Sequence, residues 1–190
     1  MTSPVNRLNL VQGPLRLYYA PWADVDTEPT DPANIGTTPA APFVYLGATR
    51  GGVNLVLEQT YANLEVDQAL GVADVRLTGE TVRLVGTLAE PTLDNLKRHL
   101  NSGSVAAGVF TPRGTDAVAN AIPANGKLIV DGLAPGGVNL RRRAILRRVV
   151  NTDGASLAGS KTDAQGLSVS FLALIVDEDP AYSIEDAQPA

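Results

Sequence analysis

A chain of 190 residues with no cysteine has room for one sizeable core, and it excludes both a disulfide frame and a thiolate metal site. Its net charge of −5 and pI near 4.8 argue against a nucleic-acid reader, whose footprint would be basic. With 44% hydrophobic residues but only 5% aromatic ones, the core must rest on Val, Leu, Ile and Ala, and 18 Gly and 13 Pro favour many strands and turns.

The opening MTSPVNRLNL lacks a charged stretch followed by an apolar run, so no signal peptide is expected. Alternation over Leu10 to Tyr19 predicts a first strand with Leu15, Leu17 and Tyr19 on one face. A Pro-rich loop follows at 21–42, carrying Asp24, Asp26, Glu28 and Asp31. That spacing loosely resembles a calcium loop, but Pro29 stands where such a loop needs glycine, which favours a solvated acidic loop.

Phe43 to Leu46 reads as a short strand, and Arg50-Gly51-Gly52 as a turn. Val53, Leu55 and Leu57 alternate with polar neighbours, and past Tyr61 the register shifts. A bulge near Tyr61 to Asn63 would account for the slip, because one extra residue inverts every later side chain. Gly71 breaks the run, Val72 to Thr78 reads as a strand, and Gly79 as a turn into another at Thr81 to Leu88.

The period then changes. Leu93, Leu96 and Leu100 form the apolar stripe of a short helix, with Pro91 at its first position. Asp94 in its first turn and Lys97, Arg98 and His99 in its last complement the dipole, and Asn101-Ser102-Gly103 can close it in a left-handed cap. At most a short strand is expected around Val105 to Phe110, and Asn125-Gly126 is a turn signal ahead of a strand at Lys127 to Val130. Val138 to Val150 is the longest strand candidate, with Ala144, Leu146 and Val150 on one face and Arg141, Arg143 and Arg147 on the other. Leu167 to Val176 is apolar enough for a deeply buried strand, its longest apolar run, Phe171 to Val176, is far too short to span a bilayer, and an acidic tail starting at Asp177 is expected to fray.

Catalytic chemistry is hard to assemble from these residues. The single histidine excludes a His-based metal triad, and no GxSxG, GxGxxG or phosphate-binding loop occurs, so neither an enzyme nor a cofactor is expected. Five arginines between 141 and 148 stand out in an acidic chain. Pairing with acidic surfaces of neighbouring copies is the favoured reading, ahead of a nucleic-acid patch without interleaved aromatics or a solvated edge strand.

The order Gly51-Gly52-Val53, Tyr61, Val66-Asp67-Gln68, Gly71, Gly79-Glu80, Thr87-Leu88-Ala89-Glu90 and Thr92-Leu93-Asp94-Asn95-Leu96 resembles the major tail tube proteins of long non-contractile-tailed bacteriophages. The match is best from about Gly51 to Leu100, and the loop at 21–42 and the arginine-rich strand depart from it. The resemblance implies a mainly β, α+β fold: a β-sandwich or barrel flanked by one helix, whose sheet continues into neighbouring subunits of a hexameric ring. Rings would stack head to tail in the virion tail, around a tape-measure protein and between terminator and tail-tip proteins, with double-stranded DNA passing through unbound.

Within that reading Glu65 and Asp67 are candidates to face the lumen. Glu90 is placed to accept from helix N–H groups or to pair with an arginine of the next subunit, and Arg141, Arg143 and Arg147 are further inter-subunit candidates. The alternatives are the tube of a contractile injection or secretion apparatus, a monomeric carbohydrate-binding β-sandwich for which Trp22 is the one aromatic to test, and a hydrolase using acidic pairs.

Overall fold

The computed structural model describes residues 13, 15–22, 35, 37–65, 71–113, 123–136, 140–157, 165–176 and 179–187. Along them run β1 (Arg16–Pro21), β2 (Val44–Tyr45), β3 (Thr49–Glu65), β4 (Val72–Leu88), α1 (Leu93–His99), β5 (Ser104–Ala106), β6 (Val109–Thr111), β7 (Gly126–Leu133), β8 (Arg141–Asn151), β9 (Leu167–Ala173) and β10 (Tyr182–Asp186). Among the described residues the protein is mainly β, with one short helix. Eight of the strands form one antiparallel sheet in the order β2-β1-β7-β8-β9-β4-β3, with β10 also on β8, while β5 and β6 make a separate hairpin.

Strand β8 is the hinge of this sheet. One of its edges is taken by β7 from Arg141 to Val149. The other passes from β10, which pairs with Arg142 to Leu146, to β9, which pairs with Val149 to Asn151. At the hand-over Arg147 N donates to Ala181 O, and the Arg147 side chain donates to Pro180 O at 2.7 Å. A register shift opposite Gly126 and Leu128 also turns Val149 to the core side, where uninterrupted alternation would have placed Val150.

The sheet therefore curls. Tyr19 of β1 and Phe171 of β9 have two strands, β7 and β8, between them in the order, yet their rings meet at 6.3 Å. The enclosed core combines Leu17, Leu128, Leu146, Leu84, Leu88 and Leu167 from strands all round the curl. Gly126 sits under the Tyr19 ring, and an added Cβ would collide with it. Gly126→Ala is expected to cost about 1–3 kcal/mol by overpacking, read as a lower urea midpoint at unchanged slope.

Leu15, Leu17 and Tyr19 do share the core face, as alternation requires. Two expected turns, in contrast, lie inside long strands. Gly51 and Gly52, at φ +74° and +89°, are extra residues in β3 between the pairs Arg50–Thr87 and Val53–Gly86. Gly79 does not turn the chain but pairs with Thr60 within β4. The slip near Tyr61 is present, but the extra residue is Thr78 on the facing strand. Strand β9 is buried at Leu167, Val169 and Phe171 and ends at Ala173, leaving Ile175 84% exposed. The tail does not fray over its described part: Tyr182 to Asp186 form β10.

Helix α1 is capped by Thr92, whose side chain accepts from Asn95 N at 3.2 Å, so Pro91 lies outside the helix rather than opening it. Asn101 at φ +51° closes the other end in the left-handed conformation, as expected. The buried side chains of the helix are polar. Asn95 is 5% exposed and His99 1%, while Leu93 points outward at 37%. Asn95 Nδ2 holds the carbonyls of Leu46 and Glu90 at 2.8 and 2.9 Å, so the helix is fixed to the strand connection by hydrogen bonds as well as by Leu96.

Candidate assembly interface

Strands β3 and β4 run together for most of their 17 residues each, but β9 supports β4 only from Arg83 to Leu88. The remainder is a two-stranded ribbon projecting from the body, and such a ribbon is marginal on its own in water. Directly opposed residues share a face, which groups Leu57 with Val82, Tyr61 with Leu77, and Asn63 with Val75. This face continues the line of the core residues Val53, Leu55, Val82 and Leu84. Along it Leu57, Tyr61, Leu77 and Val75 are 46–54% exposed. One polar pair interrupts the row, Gln59 donating to Glu80 at 3.2 Å, and Tyr61 Oη donates to Gln59 at 2.6 Å. The opposite face carries Glu58, Thr60, Asp74 and Arg76, with Leu64 exposed beside Asp74.

Sheet borders lie at both ends of the strand order. Among the described residues, β3 has a strand partner only in β4, and β2, with Val44 and Tyr45 at 47% and 48% exposure, only in β1. Unsatisfied borders beside an exposed apolar row are chemistry suited to another polypeptide, not to a small substrate.

The sequence candidates disperse over this framework. Glu65 ends β3 at the ribbon, and Asp67 lies outside the described residues. Arg141 is exposed at the start of β8. Arg147 is committed to Pro180 within its own chain. Arg143 corrects the expectation of an inter-subunit role. It is 1% exposed and holds Asp131 through two hydrogen bonds of 2.7 and 2.6 Å, with a third to Thr37 O at 3.1 Å. Arg142 makes a comparable fork with Asp186, but at 44% and 42% side-chain exposure, where such pairs contribute little. That fork holds the Asp186 carboxyl below its ordinary range.

Glu90 does not serve the helix start, which Thr92 caps. Its Oε1 accepts from Ala48 N at 2.9 Å, and its carboxylate lies against Gly47, whose φ of +95° and lack of a Cβ permit the approach. Glu90→Ala is expected to lower monomer stability by about 1 kcal/mol in a urea titration, by freeing the turn ahead of β3.

Trp22 is not presented for stacking on a sugar. Its ring carries Lys127 Nζ at 5.6 Å and the Arg148 guanidinium at 5.8 Å. His99 is not an exposed cation at the helix end. Burial lowers its pKa, against smaller upward pulls from the Gly154 backbone and the Asp153 charge. Among the described residues no group of three or more His, Cys, Asp or Glu converges, and no helix is long and apolar enough to cross a membrane.

The residues that sequence reasoning passed over are Leu57, Tyr61, Val75 and Leu77. Their signal was visible as alternation continuing through a segment that the body does not cover. No protein-family model matches the chain, and no curated protein is similar to it.

Proposed function

We propose that this protein is a self-assembling tube subunit, joining copies of itself into hexameric rings that stack head to tail as the tail tube of a long-tailed bacteriophage. The observation that carries the reading is the β3–β4 ribbon, an extension of the sheet whose apolar row stays about half exposed among the described residues. Joining the sheets of adjacent copies into one closed β-sandwich ring would remove the open borders and bury that row. Stacking is a heterologous contact that does not close, so it propagates a filament. A net charge of −5 suits a conduit, because basic walls would bind passing duplex DNA and retard it. The resemblance over residues 51–100 supports the same assignment, with the tape-measure, terminator and tail-tip proteins as further partners.

Leu77→Lys tests the reading. It places a charge at the centre of the apolar row, on a side chain already 48% exposed, so the body should fold as before. Wild type is expected to show rings or tubes by negative-stain microscopy and a large sedimenting species, and the variant a monomer with unchanged circular dichroism. A wild-type protein that stays monomeric at high concentration would refute the proposal.

A further inference from the structure

The ribbon has two free edges among the described residues, one along β3 and one along β4 at 72–82, where β9 no longer pairs with it. The Tyr182 hydroxyl lies beside the Glu80 carboxylate, which leaves 72–78 as the open stretch of β4. In an antiparallel pair, facing residues alternate between exchanging both backbone bonds and turning their N–H and C=O groups outward. Two contacts fix the phase of that alternation. Thr60 O accepts from Thr78 Oγ1 of β4 at 3.0 Å, so Thr60 faces inward and Tyr61 and Asn63 face outward. Val75 N, opposite Asn63, donates to Asp74 Oδ1 at 2.8 Å instead of to β3, so Val75 and Leu77 face outward on the other edge. The residues with outward backbone groups are also those of the exposed row, Tyr61, Val75 and Leu77 being 48–54% exposed.

We propose that the ribbons of successive copies join edge to edge, β3 of one against β4 of the next, an inference that rests on the self-assembly reading. Tyr61 and Asn63 then exchange backbone hydrogen bonds with Leu77 and Val75 of the neighbouring ribbon, in the register they already hold within their own, which keeps successive copies level. The occupant is a second copy because the two edges of one ribbon complement each other. They run in opposite directions and carry their apolar side chains on one face. Copies related by rotation about a common axis keep their strand directions, so β3 meets a β4 of opposite sense, the more favourable pairing. Joining β3 to β3 requires a two-fold axis instead and builds no head-to-tail ring. In the joint each apolar side chain of the row gains a second cross-strand neighbour. The Asp74 carboxylate is a placeholder: it satisfies the Val75 N–H in the single chain and gives way to a carbonyl of the next copy, which protects the edge from indiscriminate pairing.

Val75→Pro removes an N–H that the ribbon's own ladder does not use, so the ribbon keeps its pairing while the joint loses a donor. An unchanged circular dichroism spectrum is expected, with assembly shifted to an about tenfold higher protein concentration. Asp74→Ala removes the placeholder and should lower that concentration. The chain has no cysteine, so full-length Asn63→Cys and Val75→Cys proteins can be mixed under mild oxidation. A disulfide-linked dimer holding one of each is expected from the mixture and little from either protein alone. If the wild type assembles but the mixture gives no such dimer, or Val75→Pro assembles as readily as wild type, the joint is overturned and the tube reading stands. Dimers from Asn63→Cys alone would place β3 against β3 and overturn it as well. A wild type that stays monomeric refutes the tube reading and the joint with it.

Discussion

Asp131→Ala is expected to lower the unfolding free energy by about 3–5 kcal/mol, a large share of what a domain of this size possesses. Asp131 is 4% exposed and Arg143 1%, and the carboxylate meets the guanidinium through both oxygens. Removing the acid takes from the buried guanidinium the carboxylate that meets it through both oxygens, and the neutral Thr37 O does not replace that charge. The penalty belongs to the orphaned charge rather than to the pair, because forming the pair already required desolvating both ions. Asp131→Leu combined with Arg143→Met should therefore recover most of the loss, whereas either single change should not. The double variant would still lack the Arg143–Thr37 contact, so limited proteolysis near residues 35–43 should remain faster than in wild type. Urea titrations at neutral pH distinguish the cases; equal stability of Asp131→Ala and the double variant would show that the buried charge is not what matters.

That pair also shows how far the sequence could be read. Alternation alone identified the core faces of β1 and β4, since Leu17, Tyr19, Val82, Leu84 and Leu88 need only a period of two and a buried side. The left-handed cap at Asn101 was equally local. Arg143 was not legible, because its environment depends on Asp131 arriving from β7 and Thr37 from a distant loop. The polar burial of α1 failed for a related reason: Leu93, Leu96 and Leu100 make a proper stripe, but the surface facing the helix offers the carbonyls of Leu46 and Glu90, so Asn95 turns inward. Tyr182 to Asp186 looked like an acidic tail until β8 supplied an edge with Arg142 on it. Of the candidate site, the alternating apolar residues of the ribbon were in plain view. Their exposure was not, because a stripe looks the same whether its own chain covers it or another copy must.

Asn151→Ala is expected to destabilise the protein by about 3 kcal/mol and to flatten its response to acid. Asn151 sits at the end of β8 with 4% exposure and joins three elements. Its Oδ1 accepts from Ser170 N of β9 at 2.7 Å, and its Nδ2 donates to His99 O at 2.9 Å and to Asp153 O at 3.0 Å. The acceptor role of Oδ1 fixes the amide, so Nδ2, which shares its two N–H groups among His99 O, Asp153 O and the His99 Nδ1 only 3.1 Å away, offers that ring nitrogen no acceptor. That contact favours the neutral imidazole with its proton on Nε2, a buried nitrogen with no hydrogen bond of good geometry but close enough to the Gly154 backbone to be influenced by it. A second proton on Nδ1 would confront the Asn151 amide, and burial already lowers the pKa of His99, the Gly154 backbone and the Asp153 charge only partly opposing it. The unfolded chain therefore binds a proton at an ordinary histidine pKa of about 6.5 that the folded chain resists. Stability is fully present above that pH and declines as pH falls from it toward the lower folded value. In Asn151→Ala the conflict with the amide is gone but the burial that chiefly lowers the His99 pKa remains, so the slope of stability against pH between about 7 and 5 should shrink only in part, although carboxylate titrations continue below it. Asn151→Asp should reverse the contribution of His99, since a carboxylate beside Nδ1 favours the imidazolium, and this term would then strengthen as pH falls. Thermal melts of the three proteins across that range decide the matter: parallel curves would mean that Asn151 does not govern the protonation of His99 and that its network is structural only.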